Sequence, residues 1–332
     1  MPAGAPQVKA ALPRPCVHAM AAKMTQASEL DRLIAAAHRW QPAGMALATV
    51  IATWGSAPRP RGSHMLVHED GRFEGSVSGG CVEGEVLHAA AATIADGQVR
   101  RLNYGVADDS AWAVGLPCGG HIELLVQPVA PHGFAVELFD HIAEARNQGR
   151  KLTLTTDFST GRTAIGDEPA EDRFVNVYAP PRRLMIVGAV QIAQSLAAIA
   201  RQLDVAPILI DPRGRFLTQE RFPGVELDDS WPDEAIAARS PDAGTAVVTL
   251  SHDPKIDDPA LIAALAAPTA YIAALGSRRS HAKRLERLVA VGVGPADLAR
   301  IDAPAGLAIG AQGPAEIALS IAAGMIQAFR ND

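Results

Sequence analysis

Residues 184–193 read Leu-Met-Ile-Val-Gly-Ala-Val-Gln-Ile-Ala, an apolar run that passes through a glycine into a second apolar pattern. The first half has the composition of a buried strand, and Gly188 permits the tight turn by which a helix follows such a strand. The same alternation continues along the chain, with strands predicted at 184–189, 207–211, 245–250 and 269–275 and helices at 190–203, 278–292 and 313–329. This order predicts a Rossmann-like domain with a doubly wound parallel sheet.

The chain divides at Pro180-Pro181, a pair that cannot continue a helix or a central strand. Its 332 residues exceed the usual size of one hydrophobic core, so more than one domain is expected. The first 25 residues are rich in Ala and Pro and lack the apolar block of a secretory signal. We predict a disordered tail over 1–25, an α+β domain over 26–130, a connecting segment over 131–180 and the Rossmann-like domain over 181–332.

The amino-terminal half mixes helical and strand periodicities. Asp70-Gly71 is a strong tight-turn signal and predicts a hairpin between the strands on either side of it. Helices are predicted at 28–39, 81–95 and 131–145, and strands at 45–53, 64–68, 73–77 and 121–127, with further strands within 151–178. This mixture predicts an α+β fold for the first domain.

Two glycine-rich loops each carry a cysteine: residues 75–85 (Gly-Ser-Val-Ser-Gly-Gly-Cys-Val-Glu-Gly-Glu) and residues 116–121 (Leu-Pro-Cys-Gly-Gly-His). Glycine pairs permit positive φ and leave room for a bulky anionic or planar group. Cys81 lies at the predicted helix start, where free amides and the helix dipole stabilise a thiolate or instead bind an oxyanion. If both loops meet at one end of the sheet, Cys81 and Cys118 share a pocket.

Other interpretations of these cysteines stay open. A free cysteine often packs as a small buried hydrophobe. A zinc site would use His121 near Cys118, but no CxxC or paired His has ligand spacing. Arg59 and Arg61 come from an irregular segment rich in proline and glycine, and both could face an anion.

Turns at the carboxyl ends of the predicted parallel strands also carry polar groups, and this is where open α/β sheets bind ligands. Gly188 and Asp211 occupy the glycine and acid positions of a dinucleotide-binding fingerprint. Val190 stands where a second glycine would let the backbone approach a pyrophosphate. A role in the fold alone is therefore as well supported as nucleotide binding.

Ser277, Arg278 and Arg279 begin a predicted helix after the fourth strand. A serine cap, free helix amides and two guanidinium groups predict binding of a phosphate-type anion, with a solvated basic helix start as the alternative. His252 and Asp253 follow the third strand and could bind a ligand, transfer a proton or form a turn.

Composition excludes several classes of function. A net charge of −6 and a pI near 5.9 argue against a nucleic-acid binder, which needs a basic face. Three cysteines cannot form a disulfide framework and fit a reducing cytoplasm. The most apolar stretches, 184–200 and 305–329, are interrupted by polar residues, so no membrane span is predicted.

The sequence resembles the XdhC/CoxI family from about residue 28 to residue 329. The resemblance lies in motifs that occur here in the family's order: Gly55-Ser-Ala-Pro-Arg-Pro, Gly75-Ser-Val-Ser-Gly-Gly-Cys-Val-Glu-Gly, Cys118-Gly-Gly, Leu250-Ser-His-Asp, Leu275-Gly-Ser-Arg-Arg and Ala303-Pro-Ala-Gly-Leu-Ala-Ile-Gly-Ala. One departure is Gly188-Ala-Val-Gln, where family members usually have a Gly-Ala-Gly-His turn. Binding of a nucleotide through that turn is the part of the resemblance that this departure weakens.

The resemblance implies a cytoplasmic chaperone that binds molybdenum cofactor, as molybdopterin or its dinucleotide form. It implies support for cofactor sulfuration by a cysteine desulfurase and delivery to an apo molybdenum hydroxylase of the xanthine dehydrogenase type. The thiolate of Cys81 or Cys118 would relay sulfur or, at Cys81, ligate molybdenum. The cofactor-binding residues it implies are Arg59, Ser78, Gly79, Gly80, Glu83, Gly119, Gly120, Gly188, Asp211, His252, Ser277, Arg278 and Arg279.

Two other functions are compatible with the same residues. The first is an NAD(P)-dependent oxidoreductase that uses the Rossmann-like domain. The second is a scaffold that binds a desulfurase without binding cofactor. Alanine-rich helices, for example at 235–238 and 263–267, favour close packing and an expected homodimer.

Overall fold

The computed structural model describes residues 28–55, 57, 59–105 and 120–330, which form three sheets along the chain. The predicted tail over 1–25 and the predicted site residues Cys118 and Gly119 lie outside the described residues.

The first sheet is antiparallel and five-stranded. Its elements are α1 (Glu29–Trp40), β1 (Met45–Trp54), β2 (His64–His68), β3 (Phe73–Gly75), α2 (Glu83–Asp96), β4 (Arg100–Tyr104) and β5 (His121–Pro128). The strand order is β3-β2-β1-β5-β4. Alternate residues of β1 face opposite sides, so that Leu47 packs in the core with α1 and Val50 packs in the core with α2. The hairpin predicted at Asp70-Gly71 is confirmed, because it joins the antiparallel pair β2 and β3.

The predicted connecting segment contains a helix and a small antiparallel sheet. Its elements are α3 (Glu137–Asn147), β6 (Leu152–Asp157), β7 (Thr163–Ile165) and β8 (Arg173–Tyr178), and the strand order is β7-β6-β8. The helix begins later than predicted because Gly133 and Phe134 form a turn, their amides donating to Ala130 O and Pro128 O at 2.9 Å.

The third sheet has six strands, and every pairing in it is parallel. Its elements are β9 (Arg182–Val187), α4 (Gln191–Gln202), β10 (Val205–Ile210), β11 (Glu226–Asp228), α5 (Pro232–Ala238), β12 (Thr245–Thr249), α6 (Pro254–Leu265), β13 (Tyr271–Ala274), α7 (Arg278–Ala290), α8 (Pro295–Leu298), β14 (Ile301–Asp302) and α9 (Pro314–Ala328). The order β11-β10-β9-β12-β13-β14 confirms the predicted doubly wound sheet. Its direction of winding changes between β9 and β12, which makes that junction the topological switch point.

Helices cover both faces of the parallel sheet. Leu184 and Ile186 of β9 pack against α4 and α9, whereas Met185 and Val187 pack in the cluster that contains α5 and α6. All four β9 side chains are fully buried. This burial on both faces explains why the strand reads as a continuous apolar run rather than an alternating one.

Some boundaries and elements differ from the sequence expectation. The second helix is predicted to begin at Cys81 but begins at Glu83, because Ser78 and Glu83 hydrogen-bond the preceding amides and keep residues 78–82 in a turn. The strands β4, β11 and β14 and the helix α8 were not predicted, and α5 and α6 were expected only through their alanine-rich runs at 235–238 and 263–267, without bounds. β11 and β14 are two or three residues long, and Pro259 lies inside α6, where proline disfavours helix.

A buried polar cluster joins the first two sheets. The imidazole of His64 bonds Thr49 Oγ1 through Nδ1 and Tyr178 Oη through Nε2, each at 2.9 Å, and its ring stacks on Tyr178 at an interplanar angle of 7°. Burial lowers the pKa of His64 from 6.5 to about 4. His64 is therefore neutral at physiological pH, and its two nitrogens serve as fixed hydrogen-bonding groups.

We expect this histidine to make folding sensitive to mild acid. The unfolded chain takes up a proton near pH 6.5, whereas the folded chain does so only near pH 4, so stability should fall as the pH is lowered between these values. Urea unfolding at pH 7.5 and pH 5 should show the loss, and it should be smaller in His64→Gln. The exposed His132→Gln variant is the control and should keep the wild-type pH dependence; an equal change in both variants would contradict the assignment.

Candidate functional site

The loop that bears Cys81 is organised by the carboxylate of Glu83. That carboxylate accepts hydrogen bonds from Ser76 Oγ at 2.7 Å, Ser78 N at 3.1 Å and Gly80 N at 2.8 Å, and also from the Ser78 hydroxyl. Glu83 is only 9% exposed, and these donors lower its pKa to about 2 despite the opposing effect of burial. Glu83 thus folds back onto the loop that precedes its own helix.

The remaining amides of the loop are also used internally. Ser78 Oγ accepts from the amides of Cys81 at 2.9 Å and Val82 at 3.0 Å, and Ser76 Oγ accepts from the amide of Gly79 at 2.9 Å. The amides from Ser78 to Val82 therefore all have partners within the loop. An oxyanion would have to displace one of these hydrogen bonds. The alternative in which the amides of this loop bind an oxyanion therefore loses support.

Cys81 is exposed at the surface of this hydrogen-bonded turn. Its exposure contradicts the alternative in which it packs as a small buried hydrophobe. Gly80 precedes it with φ +116°, and a Cβ there would meet no atom within 4 Å, so backbone conformation rather than packing calls for glycine. The thiol is thus presented to solvent by a loop whose polar groups are satisfied.

The second cysteine loop enters the described residues only at its end. Gly120 is buried and leads into β5, where the ring of His121 lies 4.9 Å from that of Trp54 at the end of β1. Tyr104, at the end of β4, has its pKa raised to about 12 by burial and by the nearby charge of Glu85 in α2. The start of β5 and the start of α2 therefore lie at the same end of the first sheet.

Arg59 connects the cysteine loop to α1. Its Nε donates to Ser76 O at 3.2 Å, and its guanidinium forms a salt bridge with Glu29. The structure therefore brings together the predicted residues Arg59, Ser78, Gly79, Gly80, Cys81 and Glu83. Ser78 and Glu83 build the loop through their own contacts, and their direct contact with a ligand stays a prediction.

The fingerprint turn of the parallel sheet is filled by the chain's own side chains. Asp211 is fully buried, accepts from Ala189 N at 2.7 Å and holds Arg213 through two hydrogen bonds at 2.9 and 2.8 Å. Burial alone would raise the pKa of Asp211. Hydrogen bonds from the Arg213 guanidinium and from the backbone amides of Ala189 and Arg213 lower it. Arg221 donates to Ala189 O at 2.9 Å on the other side of the turn.

Gly188 brings this turn against the loop after β12. It has φ +107°, and a Cβ on it would lie 2.8 Å from the amide nitrogen of Ser251, so no larger residue fits. Val190 stands at the helix start in place of a glycine, and Asp211 is bonded to Arg213, so this turn departs from the pattern by which a dinucleotide is bound.

His252 and Ser277 lie along the same carboxyl edge. His252 has φ +63° and its amide donates to the buried Asp257, whose carboxylate also accepts from Ser251 Oγ at 2.7 Å. Burial raises the pKa of Asp257. Ser277 caps α7 by accepting from the amide of Ser280 at 3.1 Å, and the neighbouring Arg278 and Arg279 are exposed.

Asp257, Arg213 and Arg284 were missed by the sequence analysis. Arg284 is 5% exposed and donates to Leu275 O at 2.9 Å, while its Nε and Nη1 have no hydrogen-bond partner in the described part of the chain. Burial lowers its pKa. A basic helix pattern gives no sign of which arginine turns inward, so the sequence carried no signal for Arg284.

The predicted site residues fall into two groups: one is the Cys81 loop with Arg59, which lines the same cleft as Arg182 at the amino end of the parallel sheet, and the other lies at the carboxyl end of that sheet. Gly188 follows the last residue of β9, whereas Arg182 is its first residue. Six residues of strand separate these ends by about 20 Å.

The described residues include no group of three or more His, Cys, Asp or Glu side chains arranged to hold a metal ion.

Comparison with known proteins identifies the family. Residues 184–325 match the family model described as XdhC Rossmann domain, and residues 40–105 match the model described as XdhC and CoxI family. The molybdenum cofactor insertion chaperone PaoD of Escherichia coli (strain K12) is 31% identical over 289 residues, which cover 84% of this chain and 82% of that protein. The chain belongs to the XdhC and CoxI family.

Other XdhC and CoxI relatives extend along most of the chain. A probable xanthine dehydrogenase subunit of Bacillus subtilis (strain 168) is 27% identical over 316 residues, covering 85% of this chain and 92% of that protein. A crystal structure described as a xanthine dehydrogenase from Bacillus halodurans is 25% identical, with a TM-score of 0.76, and covers 92% of this chain and 96% of that one. The resemblance predicted from the motifs is confirmed.

The two XdhC and CoxI family models cover different parts of the candidate site. The amino-terminal match includes Arg59 and the Cys81 loop, and the carboxy-terminal match includes Gly188, Asp211 and Ser277. In the portion of this XdhC and CoxI chain that the structure describes, no helix has the length and apolar character needed to cross a membrane.

We expect Glu83 to be the residue on which the Cys81 loop of this XdhC and CoxI protein depends. Glu83→Ala leaves buried donors without an acceptor and should lower the free energy of unfolding by about 1–3 kcal/mol. The folded pKa near 2 lies below the ordinary 4.5, so the stability that the charge supplies is present above pH 4.5 and is lost as the pH falls towards 2. Urea unfolding between pH 7 and pH 2 measures both effects.

The matched control is the exposed Glu171→Ala in the turn before β8, which should leave stability and its pH dependence unchanged. Glu83→Gln keeps the size of the side chain but not its charge and should lose most of the acid-dependent part. A Glu83→Gln protein with the wild-type pH dependence would show that the loop does not rely on the carboxylate.

Proposed function

We propose that this chain is a maturation factor that binds molybdenum cofactor and inserts it into an apo molybdenum hydroxylase of the xanthine dehydrogenase type. The observation that carries the proposal is the exposed Cys81 on a glycine turn whose other polar groups are internally bonded. The Escherichia coli relative PaoD, a molybdenum cofactor insertion chaperone, supports the same role.

A thiol in this setting suits the metal end of the cofactor. Molybdenum in this cofactor is already held by dithiolene sulfur, and a soft thiolate is a suitable further ligand. The hydrogen-bonded loop holds Cys81 in a defined turn, which lowers the entropy cost of binding, and the exposure of the thiol leaves room for a bulky pterin. Cys118, two residues before the buried Gly120, is the second candidate thiol, because the start of β5 lies at the same sheet end as the start of α2.

We further propose that a cysteine desulfurase supplies sulfur to the cofactor while this chain holds it, and that the protein acts in the cytoplasm as a homodimer. The exposed apolar residues Val289 and Val291 at the end of α7, 57% and 66% exposed, offer one surface for self-association. Size-exclusion chromatography with light scattering tests the dimer; a monomer mass at all concentrations would reject it.

The alternative of an NAD(P)-dependent oxidoreductase has weaker support. Asp211, the residue that would bind the ribose, is fully buried and bonded to Arg213. Val190 stands at the helix start in place of the glycine that admits a pyrophosphate. No observation in the described residues favours hydride transfer at this edge.

Cofactor retention tests the proposal directly. The protein is expressed with a source of molybdenum cofactor, and bound molybdenum and oxidised, fluorescent pterin are measured. We expect wild type to retain both, and Cys81→Ala or Cys118→Ala to lose at least tenfold if its thiolate ligates the metal. Cys16→Ala removes the third cysteine and is the matched control, with retention expected at the wild-type level.

Activation of an apo molybdenum hydroxylase by the loaded protein forms the second readout. Retention together with activation would support the chaperone role. If wild type retains no pterin, or if both cysteine variants retain and deliver cofactor as wild type does, the proposed thiol role is rejected. NADH titration of the same samples tests the oxidoreductase alternative, which predicts saturable binding.

A further inference from the structure

A cleft of about 480 Å³ lies between the first sheet, β8 and the amino end of the parallel sheet. Four arginines line it, and we call it the arginine cleft: Arg59, Arg61, Arg146 and Arg182. Its volume is within the range of pockets for small organic ligands. The sequence indicated that Arg59 and Arg61 could face an anion, but it did not predict the cleft itself, since its walls come from five separated segments of the chain.

The cleft has an excess of positive charge. Glu29 and Asp204 are the carboxylates among its lining residues, set against four guanidinium groups. Glu29 forms a salt bridge with Arg59, and Asp31 outside the lining pairs with Arg146 at 3.6 Å. The positive charge of this cleft is therefore only partly neutralised by the protein.

Arg61 and Arg182 carry the positive charge of the cleft that no salt bridge neutralises. Among the described residues neither has a carboxylate in salt-bridge contact; each is oriented instead by neutral partners. Arg61 donates to Ile51 O at 3.1 Å and lies over the ring of Phe174 at 4.8 Å. Arg182 donates to Phe329 O at 3.1 Å and lies 4.7 Å from that residue's ring. Both guanidinium groups are thus held in place and keep their charge and further N–H donors.

The floor of the cleft adds a flat polar surface. Tyr178 and Asn176 belong to it, together with the neutral His64 that stacks on Tyr178. Asn176 Nδ2 lies 3.4 Å from His64 Nε2. A planar group could lie near these side chains while an anionic group reaches the arginines.

We propose that the arginine cleft binds the phosphate or diphosphate group of a small organic ligand. Guanidinium groups bind phosphate oxygens through paired N–H donors, and several arginines around one cleft are the usual means of recognising that group. Arg59 joins this cleft to the Cys81 loop through Ser76 O. The Ser277 region, which the sequence favours for the phosphate end, lies at the carboxyl edge of the parallel sheet, opposite the edge where β9 begins at Arg182 and Asp204 precedes β10.

The phosphate could belong to the molybdenum cofactor or to a separate phosphorylated ligand. The assignment to the molybdenum cofactor rests on the proposed function. The affinity of the cleft for phosphate rests on its own charges. The test therefore begins with inorganic diphosphate alone, titrated into the full chain at low salt by calorimetry. We expect saturable binding with one diphosphate per chain.

Arg61→Gln and Arg182→Gln should each weaken diphosphate binding by about tenfold, as expected for loss of a charged hydrogen-bond partner. The exposed Arg162→Gln lies outside the cleft and is the matched control, with unchanged affinity expected. Asp204→Asn removes a lining carboxylate and should tighten binding several-fold. A gain of affinity cannot arise from misfolding, so this variant keeps the test decisive if an arginine variant proves unstable.

The absence of diphosphate binding by wild type would overturn the proposal, as would affinities that are the same in wild type, Arg182→Gln and Asp204→Asn. The second arm compares the oxidised fluorescent pterin of the cofactor before and after phosphatase treatment. Tighter binding of the phosphorylated form, weakened in Arg182→Gln, assigns the cleft to the cofactor's phosphate. Equal binding of both pterin forms, with diphosphate binding intact, assigns it to a separate phosphorylated ligand.

Discussion

The Glu83 carboxylate is the contact on which the amino-terminal site depends. Backbone amides and serine hydroxyls converge on it, and together with Ser78 it holds residues 78–82 in a turn that a helix would otherwise absorb. Two consequences follow from this one interaction. The helix starts two residues after Cys81, and the thiol remains on the surface. A glycine loop without this carboxylate would sample many conformations, and a ligand would then bear the entropy cost of ordering it.

The second constraint is the direction of the parallel strands. Because all six run the same way, their carboxyl ends form one edge and their amino ends form the other. The arginine cleft includes Arg182 and Asp204 at the amino edge, whereas Gly188, Asp211 and Ser277 lie at the carboxyl edge. One small ligand bound within one chain cannot contact both edges across about 20 Å of strand. If the carboxyl edge of this XdhC and CoxI protein binds anything, that ligand is a different molecule or the same cofactor shared between chains.

Much of the fold could be predicted because it depends on local patterns. The apolar run of β9, the glycine at position 188 and the Asp70-Gly71 turn each determine a conformation within a few residues. The cysteine loop was recognised for the same reason. The hydrogen bonds of Glu83 to the preceding loop were not predicted, since an acidic residue at a helix start is ordinarily expected to interact with the amides of its own helix. Asp211 could be placed at its strand end, but its bonds to Arg213 depend on the conformation of the following turn. Arg59 and Arg61 could be singled out as residues that face an anion, but the cleft could not be predicted, because Arg146 and Arg182 join them only by packing between segments far apart in the chain.

The groups that orient the cleft arginines indicate what these side chains are for. A surface arginine that serves only solubility gains little from a fixed position, because holding it costs side-chain entropy. Arg61 and Arg182 are held by backbone carbonyls and aromatic rings, which orient a guanidinium without neutralising it. A carboxylate in either place would orient the same group and remove its attraction for an anion. Orientation by neutral partners therefore reduces the cost of ordering on binding and preserves the charge that a phosphate would meet, which is the combination expected of a binding site and not of a surface salt bridge.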